Sequence, residues 1–156
     1  MSLEDDIDAL AQIDLLSDFD RDQLRLIAFG SHKLSFSSGY ELFREGDKSD
    51  GGYLVLSGSI DIHVNESGFS KHVGEFGPGS MIGEMSLVAQ GNRNFTASVV
   101  ENCQLFKITQ STMHRVLSEY PDLAARLHQR ISRQFLEFTQ HLPGIQEKLM
   151  RHDQGG

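Results

Sequence analysis

The chain has 156 residues, a net charge of −8 from 14 Lys+Arg against 22 Asp+Glu, and one cysteine, which suits one domain burying roughly 68–70% of its unfolded surface. The acidic balance repels a polyanion, which sets nucleic acid aside as a partner, and a lone Cys103 excludes an internal disulfide, a thiolate metal cage and a two-cysteine redox pair. No basic segment opens the chain and no apolar run is long enough to span a bilayer, so a cytoplasmic protein without membrane attachment is expected.

Leu3, Ile7, Leu10, Ile13 and Leu16 repeat at helical spacing and predict one amphipathic helix. Asp20 is placed to cap a second, with Leu24, Ile27 and Ala28 on one face and Gly30 ending it. After Gly30 the period falls to two. Leu34 and Phe36 alternate with polar neighbours, Ser37-Ser38-Gly39 turns, and Tyr40, Leu42 and Phe43 follow. Further apolar runs cover 53–56, 60–64 and 69–76, divided by Ser57-Gly58 and by a hairpin turn at Asn65-Glu66-Ser67-Gly68. Strands over 97–100 and 105–108, parted by Glu101-Asn102, complete about eight. Short strands at this spacing read as an antiparallel sandwich or jelly roll.

Helical periodicity returns at Ser111 with Met113, Val116 and Leu117, and Pro121 fits the first turn of a longer helix. Along it Ala124, Leu127, Ile131, Phe135, Phe138 and Leu142 follow spacings near 3.5 residues, the period of a helix–helix seam, before Pro143-Gly144 stops it. The fold class is therefore α+β, mainly β: an eight-stranded antiparallel jelly roll with N-terminal helices and two C-terminal helices. The expected divisions are N-terminal helices over 1–30, the roll over 31–109, C-terminal helices over 110–142 and a tail over 143–156.

The stretch Phe76-Gly77-Pro78-Gly79-Ser80-Met81-Ile82-Gly83-Glu84-Met85-Ser86-Leu87 interrupts the roll. Its three glycines indicate backbone that comes close to something, and 84–89 reads as a short helical turn. A helix N-terminus beside glycine offers unpaired N–H groups and the positive end of a dipole, which favour an anion. Arg93, nine residues past Glu84, is near enough in sequence to complete the donors.

Taken in order, these features resemble the cyclic nucleotide-binding domain, a family that includes the regulatory subunit of cyclic AMP-dependent protein kinase and the bacterial catabolite activator protein. The resemblance rests on the stretches Gly39-Tyr40-Glu41-Leu42-Phe43-Arg44-Glu45-Gly46-Asp47, Tyr53-Leu54-Val55-Leu56-Ser57-Gly58-Ser59-Ile60 and Ile82-Gly83-Glu84-Met85-Ser86-Leu87. It implies a phosphate-binding cassette over 79–99 and cAMP or cGMP as ligand. Carried over position by position, Glu84 would accept from the ribose 2′-hydroxyl, and the amides at Gly83, Met85 and Ser86 would surround the phosphate. Arg93 would pair with an exocyclic phosphate oxygen, with Asn94 adding an amide, and contacts near Ile82 and Thr96 would complete the site. One departure leaves two alignments open. Counting forward from Glu84 places Arg93 in the family's arginine position with Asn94-Phe95 inserted, whereas counting back from Thr96-Ala97-Ser98-Val99 places Phe95 there.

The resemblance implies a stand-alone sensor in which ligand binding moves the C-terminal helices. Some 14 residues follow Leu142, too few for a DNA-binding helix-turn-helix, so the output would be an effector protein, a dimer partner or a domain outside this chain. A homodimer through the helix over 124–142 is expected. The alternative is a degenerate roll that acts as a protein interaction module without nucleotide. A jelly-roll metalloenzyme is a third class, but Asp61 and His63 lack the His-x-His pattern and read as a surface pair. His114, His128 and His141 lack zinc spacing, and no nucleophile motif is present. Neither a metal nor an enzyme is expected.

Overall fold

The computed structural model describes residues 3–140, and the side chains of those up to 133. Helix α1 (Leu3–Ala11) is followed by a 3-10 turn, Asp14–Leu16, and by α2 (Arg21–Phe29). The single helix expected from Leu3 to Leu16 is thus broken after Ala11. Ile13 takes an extended conformation at the break, yet Ile7, Leu10, Ile13, Leu15 and Leu16 are all buried, so the chain bends to keep its apolar stripe on one core. Asp20 caps α2 as expected. Its carboxylate accepts from the Gln23 amide at 2.8 Å while the Gln23 side chain accepts from the Asp20 amide at 2.9 Å, a reciprocal capping box.

Eight strands follow: β1 (His32–Phe36), β2 (Glu41–Phe43), β3 (Lys48–Ser49), β4 (Gly51–Glu66), β5 (Phe69–Phe76), β6 (Met81–Ile82), β7 (Gly91–Asn92) and β8 (Thr96–Thr109). The larger sheet runs in the order β1-β8-β4-β5, all pairs antiparallel, with β2 on β8 and β6 on β4. The separate ladder of β3 and β7 makes a second, two-stranded sheet. The mainly β architecture of the sequence reading is what the chain adopts, with two differences of detail. The runs over 53–56 and 60–64 belong to one long β4, and the runs over 97–100 and 105–108 to one long β8.

Ser57-Gly58 is therefore a bulge in β4. The register against β8 shifts on both sides of it, and Gly58 has φ +83°. Only a glycine fits there: a β-carbon would lie 2.3 Å from the Asn102 carbonyl oxygen. The β4–β5 connection behaves as expected, with positive φ at both Ser67 and Gly68, the signature of a type I′ hairpin.

Helix α3 (Gln110–Glu119) is capped by Thr109, whose hydroxyl accepts from the Thr112 amide, and α4 (Pro121–Gln140) begins on Pro121. Two apolar clusters result. One joins the helices to the sheet through residues such as Leu10, Ile27, Leu54, Phe106, Met113 and Leu127. The other fills the roll itself, around Phe43, Tyr53, Ile60, Ile82, Val99 and Leu105. Leu127 and Ile131 of the predicted seam are buried and pack on the chain's own core, together with Leu123, which lies outside the seam, while Ala124, its first position, is half-buried. The seam positions Phe135, Phe138 and Leu142, the stop at Pro143-Gly144 and the tail over 143–156 fall outside the described side chains or residues. No described helix is long and apolar enough to cross a membrane.

Candidate functional site

Short ladders hold the glycine-rich segment at both ends. On entry, Met81 and Ile82 pair with Leu54 and Tyr53 of β4, and on exit Gly91 and Asn92 pair with Ser49 and Lys48 of β3. Between them lies a 3-10 turn, Glu84–Leu87, entered through Gly83 in the left-handed conformation at φ 76°. The turn is shorter than the 84–89 reading because Val88 leaves the helical conformation at φ −124°, although the Ala89 amide still donates to Met85 O at 3.0 Å. Leu87 is buried in the helix-side cluster and Ile82 in the roll, so the turn is anchored by one side chain in each core.

Arg93 follows directly and is only 5% exposed. Its backbone is fixed to the turn before β3: the Arg93 amide donates to Asp47 O at 2.6 Å, and the Gly46 amide donates to Arg93 O at 2.8 Å. The side chain then runs inward beneath Gly83. Nη1 donates to Ser86 Oγ at 3.1 Å and Nη2 to Gly51 O at 2.8 Å. The guanidinium carbon lies 4.1 Å from the centre of the Phe43 ring and 5.9 Å from that of Tyr53. The carboxylate facing it, Asp50, stands 3.8 Å from Nη2 and has a side chain 64% exposed. Nε is buried and has no hydrogen-bond partner among the described residues.

This is an under-compensated cation. Burial pulls the Arg93 pKa below its ordinary value, opposed by Tyr53, Asp50 and Asp47. An arginine stays protonated in such a setting and holds a positive charge that its neighbours offset only in part. A site of this kind has the donors and charge for an anion, so the residues fit a phosphate.

The other candidates divide. Gly83 and Ser86 meet Arg93. The Ser86 amide donates to Gly83 O at 3.0 Å, so it is the Ser86 hydroxyl that faces the guanidinium. Glu84 is half-buried, and burial raises its carboxyl above the usual range against a hydrogen bond from its own amide. Met85 packs partly against the helix-side core. Ile82 is 2% exposed and gives its side chain to the roll. Asn94 is half-buried beside Arg93, while the Thr96 hydroxyl accepts from the Glu45 amide at 3.0 Å. Phe95, the competitor in the alignment, packs against Phe43 with ring centres 5.4 Å apart and joins the roll's core. Arg93 is the residue beneath Gly83.

Sequence reasoning missed the shell around Arg93: Phe43, Asp50, Gly51 and Tyr53. A signal was present in Gly51-Gly52, since paired glycines at a strand start mark a close approach of backbone. A β-carbon on Gly51 would lie 2.2 Å from Ile108 O, and the carbonyl of Gly51 is the one that receives Arg93. Asp61, by contrast, binds two imidazoles, His63 at 3.3 Å and His72 across the β4–β5 ladder, a larger group than the expected pair. No group of three or more metal-ligating side chains is arranged around a common point among the described residues.

A family profile described as the cyclic nucleotide-binding domain matches residues 33–120, more than half of the chain. The chain belongs to the cyclic nucleotide-binding domain family. A solved cyclic nucleotide-binding-like protein from Brucella abortus is 35% identical, with a TM-score of 0.65 over 73% of this chain and 98% of that one. The catabolite activator protein of Thermus thermophilus is 25% identical, with a TM-score of 0.71 over 83% of this chain and 61% of that one. Among curated proteins, patatin-like phospholipase domain-containing protein 6 of Mus musculus is 30% identical over 122 residues, 78% of this chain. The chain spans about 9% of the length of that relative. Within the family-matched span lie all the residues of the glycine-rich turn and Arg93.

Proposed function

We propose that this chain is a regulatory domain that binds a cyclic nucleotide, cAMP or cGMP, in the cassette over 79–99 and passes the binding event to its C-terminal helices. The observation that carries the reading is the buried Arg93 guanidinium beneath Gly83, whose Nε has no hydrogen-bond partner among the described residues and whose facing carboxylate, Asp50, stands 3.8 Å away and is solvent-exposed. In this reading Arg93 and the amides of Gly83 and Met85 take the phosphodiester, Glu84 accepts from the ribose 2′-hydroxyl, and Asn94 and Thr96 border the remainder of the ligand. Family membership supports it.

The domain itself is proposed as non-catalytic, cytoplasmic and coupled to an effector protein. A homodimer on α4 would use the second half of the helix, because Leu123, Leu127 and Ile131 are committed to the core. Coupling requires that the nucleotide prefer one arrangement of the helices, since equal affinity for two arrangements shifts neither.

Thermal denaturation with each nucleotide tests the reading. A binder at a ligand concentration 100 times Kd gains about 2.7 kcal/mol and melts correspondingly later. If neither cAMP nor cGMP at millimolar concentration moves the transition, the sensor reading fails and the roll is an interaction module.

A further inference from the structure

The cation beneath Gly83 has a second-neighbour charge that the nucleotide-binding reading leaves unused. Lys107 of β8 stands directly across the ladder from Tyr53 of β4. Its Nζ is 3.1 Å from Asp50 Oδ2, while Arg93 Nη2 is 3.8 Å from the other oxygen of the same carboxylate, Oδ1. Asp50 therefore faces two cations at once, and its shorter contact is to the lysine. Tyr53 is shared in the same way. Its ring centre lies 5.9 Å from the Arg93 guanidinium carbon and 5.5 Å from Lys107 Nζ.

Lys107 is held firmly in this position. Its side chain is only 22% exposed, and although burial alone would lower its pKa, the hydrogen bond to Asp50 and that carboxylate's charge raise it. The Asp50 backbone is fixed too, because its carbonyl accepts from the Gln110 amide at 2.8 Å at the start of α3.

Arg93 and Asp50 alone would form a neutral pair, and a phosphate would have to displace the carboxylate. With Lys107 present, Asp50 faces two cations and its closer contact is to the lysine, 3.1 Å against 3.8 Å. We propose that Lys107 is a positioning residue for the anion site: by engaging Asp50 it draws that carboxylate off Arg93 and keeps the guanidinium available to a singly charged phosphodiester. Lys107 does not touch the ligand in this arrangement; it acts through Asp50.

The inference rests on the cyclic-nucleotide reading for its ligand, and the test separates the two. Titration calorimetry of the 156-residue chain with cAMP and cGMP is run on the wild type, Lys107→Met and Lys107→Arg. In parallel, the Arg93 Nε–H resonance is followed by NMR in all three without ligand. Lys107→Met weakens the nucleotide roughly three- to tenfold, the scale of one partly screened charge, and Lys107→Arg restores it. Wild-type binding with unchanged affinity in Lys107→Met overturns the inference and leaves the sensor reading intact. If the wild type binds neither nucleotide, the sensor reading fails and the NMR arm decides: a resonance that moves in Lys107→Met and returns in Lys107→Arg supports control of Arg93 by Lys107, whereas an unmoved resonance overturns it.

Discussion

A β-carbon built on Gly83 would lie 2.5 Å from Nη1 of Arg93. The residue that gives the turn its left-handed entry is also the roof over the buried guanidinium, so backbone conformation and cation position are fixed by one contact. Gly83 is glycine for two reasons, its φ of 76° and the space beneath it.

Gly83→Ala tests that link. The left-handed conformation costs a β-carbon roughly 1–2 kcal/mol, and the methyl group also displaces Arg93. The expected result is a lower melting temperature without ligand together with weaker nucleotide binding by calorimetry. A variant that loses stability but keeps full affinity would show that Arg93 does not need its present position to hold the phosphate.

Arg93→Met separates binding from folding. A charge-assisted hydrogen bond is worth about 1.5–3 kcal/mol, so affinity should fall roughly ten- to a hundredfold. Stability should respond in the opposite sense. Replacing a poorly paired buried charge by an apolar side chain of similar length is often neutral or stabilising, and the Phe43 and Tyr53 rings already offer an apolar wall. The melting temperature of the unliganded variant should be no lower than that of the wild type. A large drop would make Arg93 a structural strut through Ser86 and Gly51.

Much of this organisation could be read from local chemistry. Asp20 with Gln23, Pro121, and Ser67-Gly68 each specify their structure through groups a few residues apart, and each behaves as expected. Ser57-Gly58 could not be resolved in the same way. A glycine pair reads alike as a turn or a bulge, and the choice was made by β8, whose ladder continues past the interruption and whose Asn102 carbonyl closes over Gly58. The places of Arg93 beneath Gly83 and of Phe95 in the roll are set by equally remote groups. The ladder of β3 with β7 and the paired hydrogen bonds to the 46–47 turn fix Arg93, while Phe43 receives both its guanidinium and the Phe95 ring. None of those partners lies within 40 residues of Arg93 in the chain, so no motif spacing encodes them.

The Asp18–Arg130 pair tests how α4 is held to the N-terminal helices. Arg130 donates to Asp18 through Nε at 2.6 Å and Nη2 at 3.3 Å, and the Asp18 carboxyl is held below its ordinary pKa chiefly by that bond. The sign follows from linkage: a depressed folded pKa gives stability that is present above the unfolded value of about 3.9 and is lost as pH falls through the lower folded value. Arg130→Gln should therefore speed amide exchange along α4 at neutral pH, with the difference from wild type closing as the solution is acidified below pH 4. An identical exchange profile at neutral pH would show that Leu127 and Ile131 hold the helix alone.

Glu84 carries the opposite sign. Burial raises its carboxyl in the folded chain, so the folded state prefers the protonated acid more strongly than the unfolded chain does. Its contribution is most favourable below the unfolded value of about 4.3 and declines as pH rises through the raised folded value. The Glu84 carboxyl thus contributes less to stability at neutral pH than in acid in the absence of ligand. Glu84→Gln retains an acceptor oxygen without the charge. It should melt later than the wild type at pH 7, and the advantage should vanish below pH 4. Its nucleotide affinity should fall, because a neutral amide accepts more weakly than a carboxylate, and the loss should be confined to ribonucleotides: the 2′-deoxy ligand should bind both proteins equally. Equal affinity of the wild type for ribo and deoxyribo ligands would remove Glu84 from the site while leaving the Arg93 contact untouched.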